Sequence, residues 1–226
     1  MSKVKTVIFD MDGLMFDTEK IYYKASQETA DKLGMEYSFD VYSKFIGAGN
    51  DIMVNTLHEM YEDHDLLAQF LKESELELED QLKNGQVDLH EGLIELLDYL
   101  KEETIPAVVA SSTRRELVDH LLERLNVRHY FKDVVGGDEV PTAKPDPAIF
   151  NKAFTKTGID NKEEALILED SKNGVLAAAG ANIPVIHIPD MINLDEETAE
   201  KPVAILPDLH HVIDFIEEKT NKNKVS

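Results

Sequence analysis

The chain has 226 residues, 42% hydrophobic and 30% charged, with 45 acidic against 23 basic side chains and a formal charge of -22 at pH 7. That length suits one sizeable core or a core with a small second domain, and the acidic balance excludes a nucleic acid or an anionic membrane as partner, since both need a basic surface. Zero cysteines exclude disulfides, thiolate catalysis and cysteine-ligated zinc, so any metal must be held by oxygen or imidazole.

An apolar run at residues 4–9 predicts a fully buried strand, too short for a helix and without polar alternation. At its C-terminal end stand Asp10, Asp12 and Gly13, with a third acid at Asp17. Carboxylates at the tip of a buried strand repel one another unless a cation offsets them. From residue 18 to 86 the apolar positions, among them Tyr22, Leu57, Phe70 and Leu82, recur at helical spacing with no strand. Gly47, Ala48 and Gly49 interrupt this block, and Asn50 is placed to cap the next helix.

Beyond Val87 helix and strand alternate. A helix carrying Leu93, Leu96, Leu97 and Leu100 stops before Pro106, and residues 107–110 form a strand ending in Ser111, Ser112 and Thr113. The next helix carries Leu117, Leu121 and Leu122, and Val134 begins a strand that runs out at Gly136. Asp146 is placed to cap a helix that starts at Pro147, just after Lys144. Residues 165–168 form a strand ending in Glu169 and Asp170, a small-residue helix runs to Gly180, strands follow at 184–188 and 203–206, and a helix carries Leu209, Val212 and Ile216. This order predicts an α/β fold, a Rossmann-like parallel sheet core with an inserted all-helical cap domain: 1–17 and 87–226 form the catalytic core, and 18–86 the cap. In such sheets ligands bind at the C-terminal strand ends, which here carry Asp10, Asp12, Ser111, Glu169 and Asp170, and the inserted helices leave from that edge as a lid.

No apolar run approaches the roughly 20 residues of a membrane span. The first residues lead straight into a strand rather than a signal peptide, so a cytoplasmic protein is expected, with the oligomeric state open and a monomer compatible.

Asp10 and Asp12 are two apart, so extended backbone points both to one side, and Asp170 arrives from another strand. Three carboxylates suit Mg²⁺, which takes oxygen ligands and keeps positions open for water or phosphate. With the repulsion offset, Asp10 can attack phosphorus, Asp12 can protonate the leaving alcohol and then deprotonate water, and Ser111 and Lys144 can bind the transferring oxygens. The catalytic set is therefore Asp10, Asp12, Ser111 and Lys144. Expected substrate contacts are Gly13, then Ser112 and Thr113, the last two through turn amides that open a helix N-terminus, with Tyr22 and Asn50 from the cap. Arg114 and Arg115 read as solvated first-turn residues.

These residues carry a resemblance. FDMDGLMFDTE, VASST, Lys144-Pro145-Asp146-Pro147 and LEDSKNG, in that order, are similar to the motifs of the haloacid dehalogenase superfamily, in its capped phosphatase and β-phosphoglucomutase-like group, over nearly the whole chain. The resemblance implies Mg²⁺ held by Asp10, the Asp12 backbone carbonyl and Asp170, with Glu169 acting at the metal directly or through water. The chain departs from the β-phosphoglucomutases, which carry a histidine where it has Tyr22 and a basic cap-loop residue where it has Asn50. Without a clamp for a second phosphate, hydrolysis of a small phosphomonoester such as a sugar phosphate, through an aspartyl-phosphate, is expected over mutase chemistry. A phospho-receiver domain also gathers acids, a hydroxyl and a lysine around Mg²⁺, but it needs only about 120 residues and no helical insertion.

Overall fold

The computed structural model describes residues 3–45 and 50–222. In chain order, β1 (Thr6–Phe9) precedes four helices, α1 (Glu19–Leu33), α2 (Phe39–Tyr42), α3 (Asn50–Met60) and α4 (His64–Asn84). Then come α5 (Leu93–Glu102), β2 (Ala107–Ala110), α6 (Arg115–Arg124), β3 (Phe131–Val135), α7 (Ala148–Thr157) and β4 (Ala165–Glu169). The chain continues with α8 (Lys172–Ala181), β5 (Val185–His187), α9 (Glu196–Ala199), β6 (Ala204–Ile205) and α10 (His210–Lys222). Contacts divide it into two compact units, Met1–Phe16 with Leu89–Ser226, and Asp17–Asp88. Among the described residues no helix is long and apolar enough to cross a membrane.

The larger unit holds six parallel strands in the order β3-β2-β1-β4-β5-β6. β1 is central because all four of its residues are fully buried, and only an interior strand covered on both faces can be apolar at every position. From β1 the sheet grows first toward β3 and then, from β4, in the opposite direction, so strand order reverses between β1 and β4. The crevice at that reversal is where open α/β sheets place ligands. On one face α7 and α8 close over Ile8, Val108, Ile167 and Val185. The small residues Ala177, Ala178 and Ala181 let α8 approach this face closely.

Three local features differ from the sequence reading. β3 starts at Phe131, three residues before Val134, because an edge strand tolerates Lys132 and Asp133 in its run. α7 starts at Ala148, whose amide donates to Asp146 Oδ1 at 2.9 Å, so Asp146 caps as expected but Pro147 is the capping position and not the first helical residue. Arg115 is only partly solvated: its guanidinium donates to the Val134 carbonyl at 2.7 Å and pairs with Asp133, Asp119 and Glu139 at 3.2, 3.3 and 3.4 Å. It thereby ties α6 to the sheet edge.

The smaller unit is helical and shows no strand among its described residues. α1 ends at Gly34, whose φ of 66° is the left-handed conformation that lets its amide reach back to the Ala30 and Asp31 carbonyls. α4 opens at Asp63, whose carboxylate accepts from the Leu66 amide at 2.9 Å. The two helices pack around Ala30, Tyr37, Leu57, Leu67 and Phe70. The expected break at Gly47, Ala48 and Gly49 lies outside the described residues; Asn50 opens α3, and its side chain lies outside them as well.

Candidate active site

β1 and β2 end one residue short of Asp10 and Ser111, and β4 ends on Glu169, one residue short of Asp170. The Asp10 amide still donates to the Leu168 carbonyl at 3.0 Å and the Ser111 amide to the Val135 carbonyl at 3.1 Å, so the sheet ladder itself fixes where these side chains begin. Asp10, Ser111 and Glu169 are buried, with exposures of 6%, 0% and 0%. Lys144 reaches this point from the segment before α7. Its ammonium donates to Asp10 Oδ1 and, at 2.6 Å, to Glu169 Oε1, while Nζ lies 4.8 Å from the centre of the Phe150 ring. The second oxygen of Glu169 accepts from the Ser171 amide at 2.8 Å and the Ser171 hydroxyl at 3.0 Å.

One oxygen from each of Asp10, Glu169 and Asp170 lies within 4.8 Å of the other two. Asp170 Oδ1 is buried and accepts no hydrogen bond. Burial raises the pKa of Asp10 to about 8 against the pull of Lys144, with Glu169 and Asp12 adding to the rise. Burial likewise holds Asp170 well above the carboxylate range, helped by Glu169 and Asp10. For Lys144 burial acts against the charge, but Asp10 and Glu169 outweigh it and hold the ammonium above its ordinary value. Acids whose charge is disfavoured by burial and by one another, with an unsatisfied oxygen among them, fit a hard divalent cation: its charge would ionise them and occupy that oxygen.

Asp12 is held differently. Its Oδ2 accepts from the Ser111 hydroxyl at 3.2 Å and from the Thr113 hydroxyl at 2.9 Å. The Thr113 amide, expected to face a ligand, instead donates to Ser111 Oγ at 3.0 Å. α6 begins only at Arg115, and that amide is taken by Asp138 Oδ1 at 2.8 Å, so the helix N-terminus is capped from within the chain. Ser112 is exposed. Gly13 has a φ of 77°, and a methyl group built on it would lie 2.4 Å from Asp170 Oδ2, so only glycine lets that acid approach this turn. The structure thus gathers Asp10, Asp12, Gly13, Ser111, Thr113, Lys144, Glu169 and Asp170. Tyr22 and Asn50 belong to the helical unit, where the Tyr22 ring packs against that unit's core.

Three features went unread in the sequence. The Thr113 hydroxyl, rather than the expected amide, meets Asp12. Gly174 borders Glu169, and a methyl there would lie 1.7 Å from Oε1. Asp190 Oδ2 would be 3.5 Å from a methyl on Gly13, which puts it beside Asp170. Asp190 lies three residues past the end of β5, so the rule that strand ends carry the site could have found it.

The family model described as haloacid dehalogenase-like hydrolase matches residues 7–188. The chain belongs to this family. The hydrolase is 32% identical over 184 residues to a phosphorylated carbohydrates phosphatase of Thermotoga maritima, spanning 81% of this chain and 84% of that one. It is 28% identical over 220 residues to a phosphoglycolate phosphatase of Photobacterium profundum, spanning 94% and 96%. In fold, the hydrolase is similar to CbbY from Rhodobacter sphaeroides, solved in complex with phosphate, with a TM-score of 0.77 at 24% identity, covering 92% of this chain and 96% of that one.

Proposed function

We propose that this hydrolase is a Mg²⁺-dependent phosphatase that cleaves a small phosphomonoester, such as a sugar phosphate, through an aspartyl-phosphate on Asp10. The observation that carries this reading is the imbalance at the strand ends, where, among the described residues, Asp10, Asp12, Glu169 and Asp170 gather around the ammonium of Lys144, already shared between two of them. A phosphate dianion entering such a field is repelled unless a divalent cation offsets it. Asp10 and Asp170, with the Asp12 backbone carbonyl, would hold Mg²⁺. Glu169, whose oxygens accept from Lys144 and Ser171, supports the lysine first and the metal second. When bound, the cation supplies positive charge to the transferring phosphoryl oxygens.

The residues of the chain divide the remaining work. Asp10 attacks phosphorus as the ester P–O bond breaks. Lys144 keeps Asp10 oriented, favours its ionised form and faces the charge that develops on the equatorial oxygens. Asp12 gives its proton to the departing alkoxide, then takes one from the water that cleaves the acyl phosphate and returns Asp10 to a carboxylate. The relatives named for phosphorylated carbohydrates and phosphoglycolate support a small phosphorylated metabolite as substrate.

Phosphate release from a panel of phosphomonoesters with Mg²⁺ tests this reading. Asp10→Asn is expected to lower turnover by at least about a thousandfold, and chelation to abolish it. Undiminished activity in Asp10→Asn would refute the mechanism. Conversion of β-glucose 1-phosphate to glucose 6-phosphate without free phosphate would overturn hydrolysis in favour of a mutase.

A further inference from the structure

The loop after β2 is built to do something beyond meeting phosphate. Ser111 and Thr113 close on themselves through the Thr113 amide, 3.0 Å from Ser111 Oγ, and present both hydroxyls to a single oxygen of Asp12. The shorter of these bonds, at 2.9 Å, comes from Thr113, 101 residues away in the chain. We propose that the Thr113 hydroxyl is a positioning residue that fixes the Asp12 side chain in the rotamer from which it delivers its proton to the leaving group. This rests on the phosphatase reading.

Oδ2 has both of its lone pairs engaged by these hydroxyls, which leaves Oδ1 as the oxygen that can carry the transferable proton. The carboxyl group cannot rotate to exchange its two oxygens without breaking both bonds. In the first step the Asp12 Oδ1–H bond breaks as the proton passes to the leaving oxygen, the P–O ester bond breaks, and the Asp10 O–P bond forms. The two donors differ in what else they must do. Ser111, fully buried at the end of β2, is the hydroxyl expected to turn to a phosphoryl oxygen, whereas Thr113 keeps its bond to Asp12 throughout. Removing the Thr113 hydroxyl leaves the acid present but takes away the shorter of its two bonds at Oδ2, so its rotamer is less constrained.

Leaving groups separate this role from a structural one. An alkyl phosphate expels an alkoxide that needs the proton; p-nitrophenyl phosphate expels a phenolate that leaves without it. Rapid-quench rates of alcohol or phenol release, measured with Mg²⁺ on the parent, Thr113→Val, Thr113→Ala and Thr113→Ser, provide the test. Both hydroxyl deletions are expected to slow release from the alkyl ester by roughly 10- to 100-fold, part of what a positioned acid contributes, and to slow phenolate release less than about threefold. Thr113→Ser should restore most of the alkyl rate. Equal losses on both esters in Val and Ala variants that melt with the parent, or no rescue by serine, overturn the assignment while leaving the phosphatase reading intact. A parent enzyme that releases neither product removes both.

Discussion

Replacing Gly174 by alanine sets two effects of known size against each other. Gly174 lies inside α8, and for an exposed helical site alanine is favoured over glycine by about 1 kcal/mol. Here the new methyl would lie 1.7 Å from Glu169 Oε1, 1.8 Å from its Cδ and 2.3 Å from Oε2, well inside contact distance. Glu169 is 0% exposed and cannot swing into water, so it must give up its bonds to Lys144 at 2.6 Å and to Ser171 at 2.8 and 3.0 Å. Breaking one side of a buried charge pair destabilises by about 3–5 kcal/mol. The clash therefore outweighs helix propensity, leaving a net loss of about 2–4 kcal/mol and a fall in Tm of roughly 5–15 °C. Gly180→Ala is the control in the same helix, since the nearest atoms outside the helix that its methyl would meet are those of the Pro147 side chain, at an ordinary contact distance of 3.5 Å. That variant should melt at or slightly above the parent. Thermal unfolding by circular dichroism reads both, and a Gly174→Ala protein melting with or above the parent would refute the claim that Glu169 is clamped by Lys144 and Ser171.

Removal of Arg115 carries a pH signature. Asp133 and Glu139 are partly desolvated, which would raise them, but their amide and lysine partners together with Arg115 hold both below the ordinary carboxylate range. Groups lowered in the folded state contribute stability above their unfolded pKa and lose it as pH falls through the folded value. Arg115→Met is therefore expected to lower Tm by about 2–6 °C at pH 7, the effect of about 1–2 kcal/mol for a partly exposed network. The deficit should shrink as pH falls below about 4 and on through the lowered folded-state values, beneath which the carboxyls are protonated in both states; a deficit constant with pH would count against it. Asp170→Asn should weaken Mg²⁺ binding measured by calorimetry at least about tenfold, since even indirect changes at metal sites commonly reach that. Unchanged affinity would remove Asp170 from the metal site.

Much of the fold was legible because it depends on local pattern. Residues 107–110 read as a strand from four small or β-branched residues between Pro106 and Ser111, and β2 spans Ala107–Ala110. The edge strand β3 was read short because Lys132 and Asp133 interrupt its apolar run, and whether a strand sits at an edge is a property of sheet order rather than of composition. α9 went unread because four residues, Glu196–Ala199, hold no full amphipathic period; what marks it is Asp195 accepting from the Thr198 amide at 3.0 Å.

The site divides in the same way. Which residues end the strands was written into the chain, since a buried parallel strand must be apolar until the sheet runs out, and Asp10, Ser111 and Glu169 stand where it does. Which atom meets which was decided only in three dimensions. Lys144 bridges partners 134 and 25 residues away, Thr113 turns its hydroxyl rather than its amide to the acid at Asp12, and Gly174 makes room for Glu169. Such pairings follow from strand order and from rotamers fixed by packing, and no periodicity along the chain encodes them.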